Sequence, residues 1–91
     1  MNYQLEFTRQ YLKDLKRARK RGLEEEKLNE VILLLLKGEQ LPASNRDHAL
    51  TGDYKGFREC HVSPDWLLIY RRDKSLQIVT LVRTGTHADL F

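Results

Sequence analysis

His48, His61, Asp65, Arg83 and His87, all in the second half of the chain, are residue types suited to moving protons around an anion. Histidine both gives and takes protons near neutral pH without a special environment, its reference pKa being about 6.5. Cys60 is the sole cysteine and reads as a small buried apolar residue, not a nucleophile. Imidazoles, a carboxylate and an arginine without a cysteine or serine nucleophile suit phosphodiester cleavage in RNA. There the substrate supplies the attacking group, its ribose 2′-OH. The protein needs a base to deprotonate it, a cation for the crowded phosphorane and an acid for the departing 5′-oxygen. This chemistry requires no metal and no cofactor, and each acid or base contributes about 10²- to 10⁴-fold.

A tetrahedral zinc site is the rival use of three histidines and Asp65. The spacing weakens it, because His48 and His61 lie thirteen positions apart and His61 and His87 twenty-six, with no close histidine pair to preorganise ligands. Read singly, each residue has a plainer role: a histidine as a structural hydrogen-bonder, Asp65 as a turn former in "SPDW", Arg83 as a surface cation. Their combination is what points to a site.

These residues need a scaffold, and the sequence outlines one. "YQLEF" alternates with period two and predicts a first strand. Thr8 is placed to cap a helix whose buried stripe is Tyr11, Leu12, Leu15 and Ala18, and Gly22 ends it. Glu24, Glu25 and Glu26 suit the positive end of a second helix, in which Leu28, Val31, Ile32, Leu35 and Leu36 recur at helical spacing up to Gly38. "QLPAS" reads as a loop. Three strand-like runs follow, near "FRECHV", "WLLIYR" and "LQIVTLV", joined by the turn signals "SPD" and "RDKS". The expectation is an α+β domain over residues 1–91: one strand, two antiparallel helices on one face of an antiparallel sheet, and a three-strand meander completing it.

Side-chain alternation sets Phe57, Glu59 and His61 on one face of the first meander strand and Arg58, Cys60 and Val62 on the other, the core side. His61 therefore turns toward the uncovered face. On the last strand Leu76, Ile78 and Val82 are expected in the core with Arg83 outward, so that His61, Arg83 and His87 converge, with Asp65 in the adjoining turn. Trp66 and Tyr70 read as core.

Ninety-one residues, 41% apolar and 32% charged, describe a single soluble globule, too apolar for disorder. "VILLLL" is far shorter than the roughly 20 residues of a spanning helix, and no signal-peptide pattern is present. A lone cysteine fits a reducing, cytoplasmic setting. The net charge of +3 hints at a polyanionic partner, and its distribution says more: residues 8–21 carry seven cations against the single acid Asp14. Such a helix face suits RNA.

"RDHALTG", "HVSPDW" and "RTGTHADLF", in this order within residues 46–91, resemble the YafQ branch of the RelE/ParE superfamily of bacterial toxins. The resemblance implies a RelE-like fold and a type II toxin that cuts messenger RNA in the ribosomal A site and is neutralised by a cognate antitoxin. The free toxin is expected to be monomeric. By motif, His48, His61, Asp65, Arg83, His87 and Phe91 fall on the family's active-site positions. His87 is then the proton donor to the leaving group, and either His61 or Asp65 takes the 2′-OH proton. Arg83 steadies phosphate charge, its guanidinium able to grip two oxygens at once. His48 positions phosphate or a neighbouring imidazole. Phe91 stacks on a base or anchors the tail. Phe91, Arg58, Lys55 and Arg46 are assigned to RNA contact. The same superfamily contains ParE-like toxins that poison DNA gyrase without acid–base chemistry, which the histidine set argues against.

Overall fold

The computed structural model describes residues 2–91. Strand β1 (Gln4–Phe7) leads into helix α1 (Arg9–Lys20) and helix α2 (Glu25–Leu36). A two-residue strand β2 (His48–Ala49) lies between two 3-10 turns, Ala43–Asn45 and Gly52–Tyr54. Strands β3 (Arg58–Ser63), β4 (Trp66–Asp73) and β5 (Ile78–Gly85) form the meander, and a one-turn helix α3 (His87–Leu90) follows. The sheet order is β1-β5-β4-β3-β2. The α+β architecture and the meander are as expected. The sheet is mixed, however: β1 runs parallel to β5, since the two helices carry the chain back across the sheet before β5 is laid down. Strand β2, opposite Arg58 and Glu59, is too short to leave a periodic signal.

The helices form where the chain provides caps and stops. The Thr8 hydroxyl accepts from the Tyr11 backbone N–H and donates to the Val82 carbonyl at 2.8 Å, so the cap also ties α1 to β5. Helix α1 ends in Arg17, Arg19 and Lys20, and α2 begins with Glu25 and Glu26, matching charge to both macrodipoles. Gly22, at φ 84°, lets the chain reverse between them.

One face of the sheet is packed against the helices: Tyr11, Ala18, Leu28, Val31 and Leu35 bury Cys60, Val62, Leu68, Tyr70, Val79 and Leu81. Burial pushes the Cys60 thiol up to about 12, which suits an inert core residue. Two expected stripes are corrected. In α1 the buried positions are Tyr11, Asp14 and Ala18, with Leu12 largely exposed. In β5 the core residues are Val79 and Leu81; Ile78 and Val82 are half-buried and Leu76 is exposed.

An outward Arg83 implies a core of Ile78 and Val82 only in a regular strand, and β5 is bulged. Tyr70 lies opposite Leu81 but Ile69 lies opposite Arg83, leaving Val82 as an extra residue on β5. Without it, the alternation that buries Val79 and Leu81 under the helices would carry Arg83 to that side too. The bulge instead sets Arg83 opposite Ile69, on the other face. There a second, smaller cluster forms, in which Leu67, Ile69 and Leu90 are buried with Leu50, Tyr54, Phe57 and Val82 packed around them.

Candidate active site

Two cross-strand rows on this second face hold three of the expected site residues, His48, His61 and Arg83. The first runs His48–Glu59–Ile69–Arg83 across β2, β3, β4 and β5. The second, two residues along, runs His61–Leu67–Gly85. Strands lie about 4.8 Å apart, so the backbones of His61 and Arg83 are roughly 12 Å apart on the diagonal, a gap two such side chains can bridge through a phosphate.

Because Gly85 carries no side chain, α3 folds down over the end of the second row. A Cβ at Gly85 would lie 2.9 Å from the Asp89 Cβ. The glycine is required for this close approach, not for the left-handed backbone freedom that a chain reversal suggests. Helix α3 thereby brings the His87 ring to 5.9 Å from the His61 ring, nearly edge to face. His87 also meets Phe91 at 6.2 Å, and Phe91 meets Tyr54 at 5.9 Å. A Gly85→Ala protein is expected to lose its His61–His87 contact and at least about tenfold in any reaction that needs both rings, since ångström-scale misplacement costs up to about 10²-fold. An unchanged His61–His87 contact in that variant, read by NMR, would refute the need for glycine at this position.

Arg83 is held from behind. Its Nε and Nη2 donate to Asp14 Oδ2 and Oδ1 at 2.9 and 3.0 Å, and the Thr84 backbone N–H donates to the same carboxylate at 3.2 Å. Pairing between β1 and β5 stops at Leu81, so Asp14 satisfies the sheet edge just beyond. Its hydrogen bonds keep Arg83 firmly protonated, against an opposing burial effect and with Tyr54 adding in the same direction. The two-point grip expected for phosphate is thus made on Asp14, and Nη1 is the amino group that Asp14 does not engage.

His48 Nε2 lies 3.3 Å from Oε1 of the buried Glu59, with its ring more than half exposed. Asp65 is exposed at the tip of the β3–β4 hairpin and makes no hydrogen bond or ion pair among the described residues. Arg46 and Lys55 are exposed on loops, Arg46 with a positive φ of 47°. Arg58 does not join the histidines. It lies opposite Tyr70 on the helix-covered face, paired with Asp47, which also accepts from the Tyr70 hydroxyl at 2.6 Å. The alternation that set Arg58 beside Cys60 already excluded it from the His61 face.

Sequence reasoning missed Asp14, Glu59, Tyr54 and Asp89. Asp14 had a signal: the one acid in a cationic helix, three positions after Tyr11 and four before Ala18. Glu59 shares the parity of His61, and "THAD" has the spacing of a capping box. Tyr54, in a 3-10 turn between glycines, had none. Among the described residues no group of three or more His, Cys, Asp or Glu side chains is arranged to hold a metal, and no helix is long and apolar enough to cross a membrane.

Two carboxylates couple this site to pH. Burial alone would raise the Asp14 pKa, but hydrogen bonds from Arg83, Gln10 and Thr84 outweigh it and hold it below the ordinary 3.8. Asp89 is also depressed, by the Thr86 backbone N–H and then, against a smaller burial effect, by Arg21. A carboxylate depressed in the folded state contributes its stability above its unfolded pKa and loses it as pH falls through the folded one. The melting temperature is therefore expected to fall as pH drops below the ordinary carboxylate value of 3.8, and less steeply in Asp14→Asn. Superimposable wild-type and variant curves would contradict this.

The family described as the bacterial toxin of type II toxin-antitoxin system, YafQ, matches residues 3–91. The mRNA interferase toxin YafQ of Escherichia coli strain K12 is 47% identical over 89 residues, covering 96% of this chain and 94% of that protein. Among solved structures, a chain of the E. coli DinJ-YafQ toxin-antitoxin complex superimposes with a TM-score of 0.90 at 42% identity, covering 100% of this chain and 99% of that one. A metal-bound toxin from Helicobacter pylori does so with a TM-score of 0.90 at 38% identity, covering 98% and 99%.

Proposed function

This chain belongs to the YafQ family of type II toxins, and from that premise we propose that it is an endoribonuclease cutting messenger RNA in the ribosomal A site by attack of a ribose 2′-OH. The observation that carries this reading is the His61–His87 ring contact at 5.9 Å on the face that also presents Arg83. Two imidazoles side by side, one neutral and one protonated, can take the 2′-OH proton and return one to the 5′-oxygen across a single phosphate.

In this scheme His87, exposed on α3, is the donor. His61 is the better placed base, being in contact with the donor, whereas Asp65 sits alone on the hairpin tip. Arg83 Nη1 offers a fixed positive charge to the phosphorane, preorganised by Asp14 so that little reorientation is needed as charge develops. His48, at the far end of the first row and backed by Glu59, holds the neighbouring phosphate. Phe91, exposed and braced by Tyr54, stacks on a base. Arg46, Lys55 and the cationic face of α1 contact RNA. The free toxin acts as a monomer in the cytoplasm. A cognate antitoxin, the kind of partner that the DinJ-YafQ complex exemplifies, covers the site.

The metal-bound H. pylori toxin gives a second reading something to stand on, with His61 and His87 as metal ligands. One experiment separates the possibilities: mapping cleavage ends on a translated messenger, with and without ribosomes, and with a transition-metal chelator in excess magnesium. Ribosome-dependent cuts indifferent to the chelator are expected. Cuts abolished by the chelator and restored by zinc would favour the metal, and intact messenger beside inhibited DNA supercoiling would favour gyrase poisoning.

A further inference from the structure

We infer that Asp89 is a positioning residue for His87, working as a latch that α1 holds shut. The inference rests on the role of His87 as proton donor given above. His87 makes no side-chain hydrogen bond or ion pair among the described residues; its ring lies against two others, those of His61 and Phe91. A four-residue helix has no stability of its own, so something else must fix the imidazole.

Asp89 is that anchor. Its Oδ2 accepts from Arg21 Nη1 at 2.7 Å and from the Thr86 backbone N–H at 3.0 Å, while Arg17 Nη1 lies 3.7 Å from Oδ1. The Thr86 hydroxyl accepts in return from the Asp89 N–H, completing a capping box around the turn. The Asp89 side chain is only 12% exposed although both arginines are half exposed. Residues two apart on a helix point about 200° from each other. With Asp89 turned back toward α1, His87 is turned away from it, over His61. Leu90, buried on Leu67 and Ile69, is the pivot. The sequence distance is long, from the end of α1 to α3, so this anchoring is set by tertiary packing and belongs to no local motif.

The test uses a short messenger in the A site of purified ribosomes, in which the 5′-oxygen at the mapped cleavage position is replaced by sulfur. Attack of the 2′-oxygen forms the cyclic P–O bond and breaks P–S. The thiolate departs without needing a proton, so a defect confined to the acid disappears on this substrate. On the oxygen substrate at saturating ribosomes, Asp89→Asn and Arg21→Gln are expected to lower kcat roughly ten- to a hundredfold, part of the full effect of an acid. On the sulfur substrate they should come within about threefold of wild type, as should His87→Ala, whereas Arg83→Gln stays slow on both. Asp89→Glu, which can still fill the capping box, is expected to retain activity on the oxygen substrate. Wild-type kcat for Asp89→Asn on the oxygen substrate, or an Asp89→Asn defect that persists on sulfur while His87→Ala is rescued, would overturn the latch alone. Failure of sulfur to rescue His87→Ala would overturn the acid role and the latch with it.

Discussion

Replacing His87 by alanine is expected to slow cleavage of A-site messenger about 10²- to 10⁴-fold, the usual contribution of a general acid. The loss should fall on kcat with affinity for the programmed ribosome preserved, because an exposed imidazole that donates a proton only as the P–O bond breaks adds little to ground-state binding. The fold should be unaffected: the residue is exposed, and the anchors of α3 are Thr86, Asp89 and Leu90. Single-turnover kinetics beside a thermal melt would check both halves. An unchanged rate would remove His87 from the chemistry, and a fall in melting temperature comparable to a core mutation would make the kinetic loss uninformative. His61→Ala is expected to be similarly slow. Phe91→Ala should cost less, since Phe91 is expected to help by stacking on a base and not by moving protons.

The second large effect is expected at a residue that does no chemistry. Asp14→Ala would remove both carboxylate oxygens to which Arg83 donates and leave the Thr84 backbone N–H without a partner in a buried setting. Breaking a buried pair from one side costs about 3–5 kcal/mol. The Arg83 side chain retains 22% exposure and can swing partly into water, which favours the lower end. About 3 kcal/mol in a domain of this size lowers the melting temperature on the order of 12–24 °C. Cleavage should fall as well, even at temperatures where the variant is folded, because an untethered Arg83 would no longer hold Nη1 in the position proposed for phosphate contact. Asp14→Asn, which keeps one acceptor, should be milder on both counts. Calorimetry and single-turnover cleavage on the same samples would show it. A variant with an unchanged melting temperature would mean that the pair is not the edge-sealing element described here.

Much of this fold was legible because its signals are local. Thr8, Gly22, the three glutamates and Gly38 bound two helices, and Cys60 and Val62 report the core side of β3. The alternation that put His61 on the other face is correct, and so is the hairpin at "SPD". What failed is whatever depends on a distant partner. The parallel docking of β1 on β5 joins residues more than seventy positions apart. The burial of Asp14 in place of Leu12 makes sense only once Arg83 is known to lie behind it. The bulge at Val82 exchanges the faces of β5 within one residue and leaves no compositional mark, so a regular alternation counted back from an outward Arg83 misassigns Ile78 and Val82, while Leu76 lies in the turn before the strand. Arg83 nonetheless reaches the expected face, by that irregularity and not by the pattern.

The candidate site was legible in the same uneven way. Residues on regular strands, His61 above all, are found where alternation places them. His87 required the C-terminal segment to fold back, which Gly85 permits by having no Cβ and Asp89 secures by reaching α1. Arg58 illustrates the opposite case, since its strand position beside Cys60 sends it to Asp47 and Tyr70 on the other side of the sheet from His61.

The most direct measurement is the chemistry of the cut ends. A synthetic messenger held in the A site of purified ribosomes would be cleaved by the wild-type protein and the fragments resolved by mass spectrometry. An upstream fragment ending in a 2′,3′-cyclic phosphate and a downstream fragment beginning with a 5′-hydroxyl are the result expected of 2′-OH attack assisted by His61 and His87. A free 3′-hydroxyl facing a 5′-phosphate would mean that water, not the ribose, is the nucleophile, and would contradict the role given to this face of the sheet.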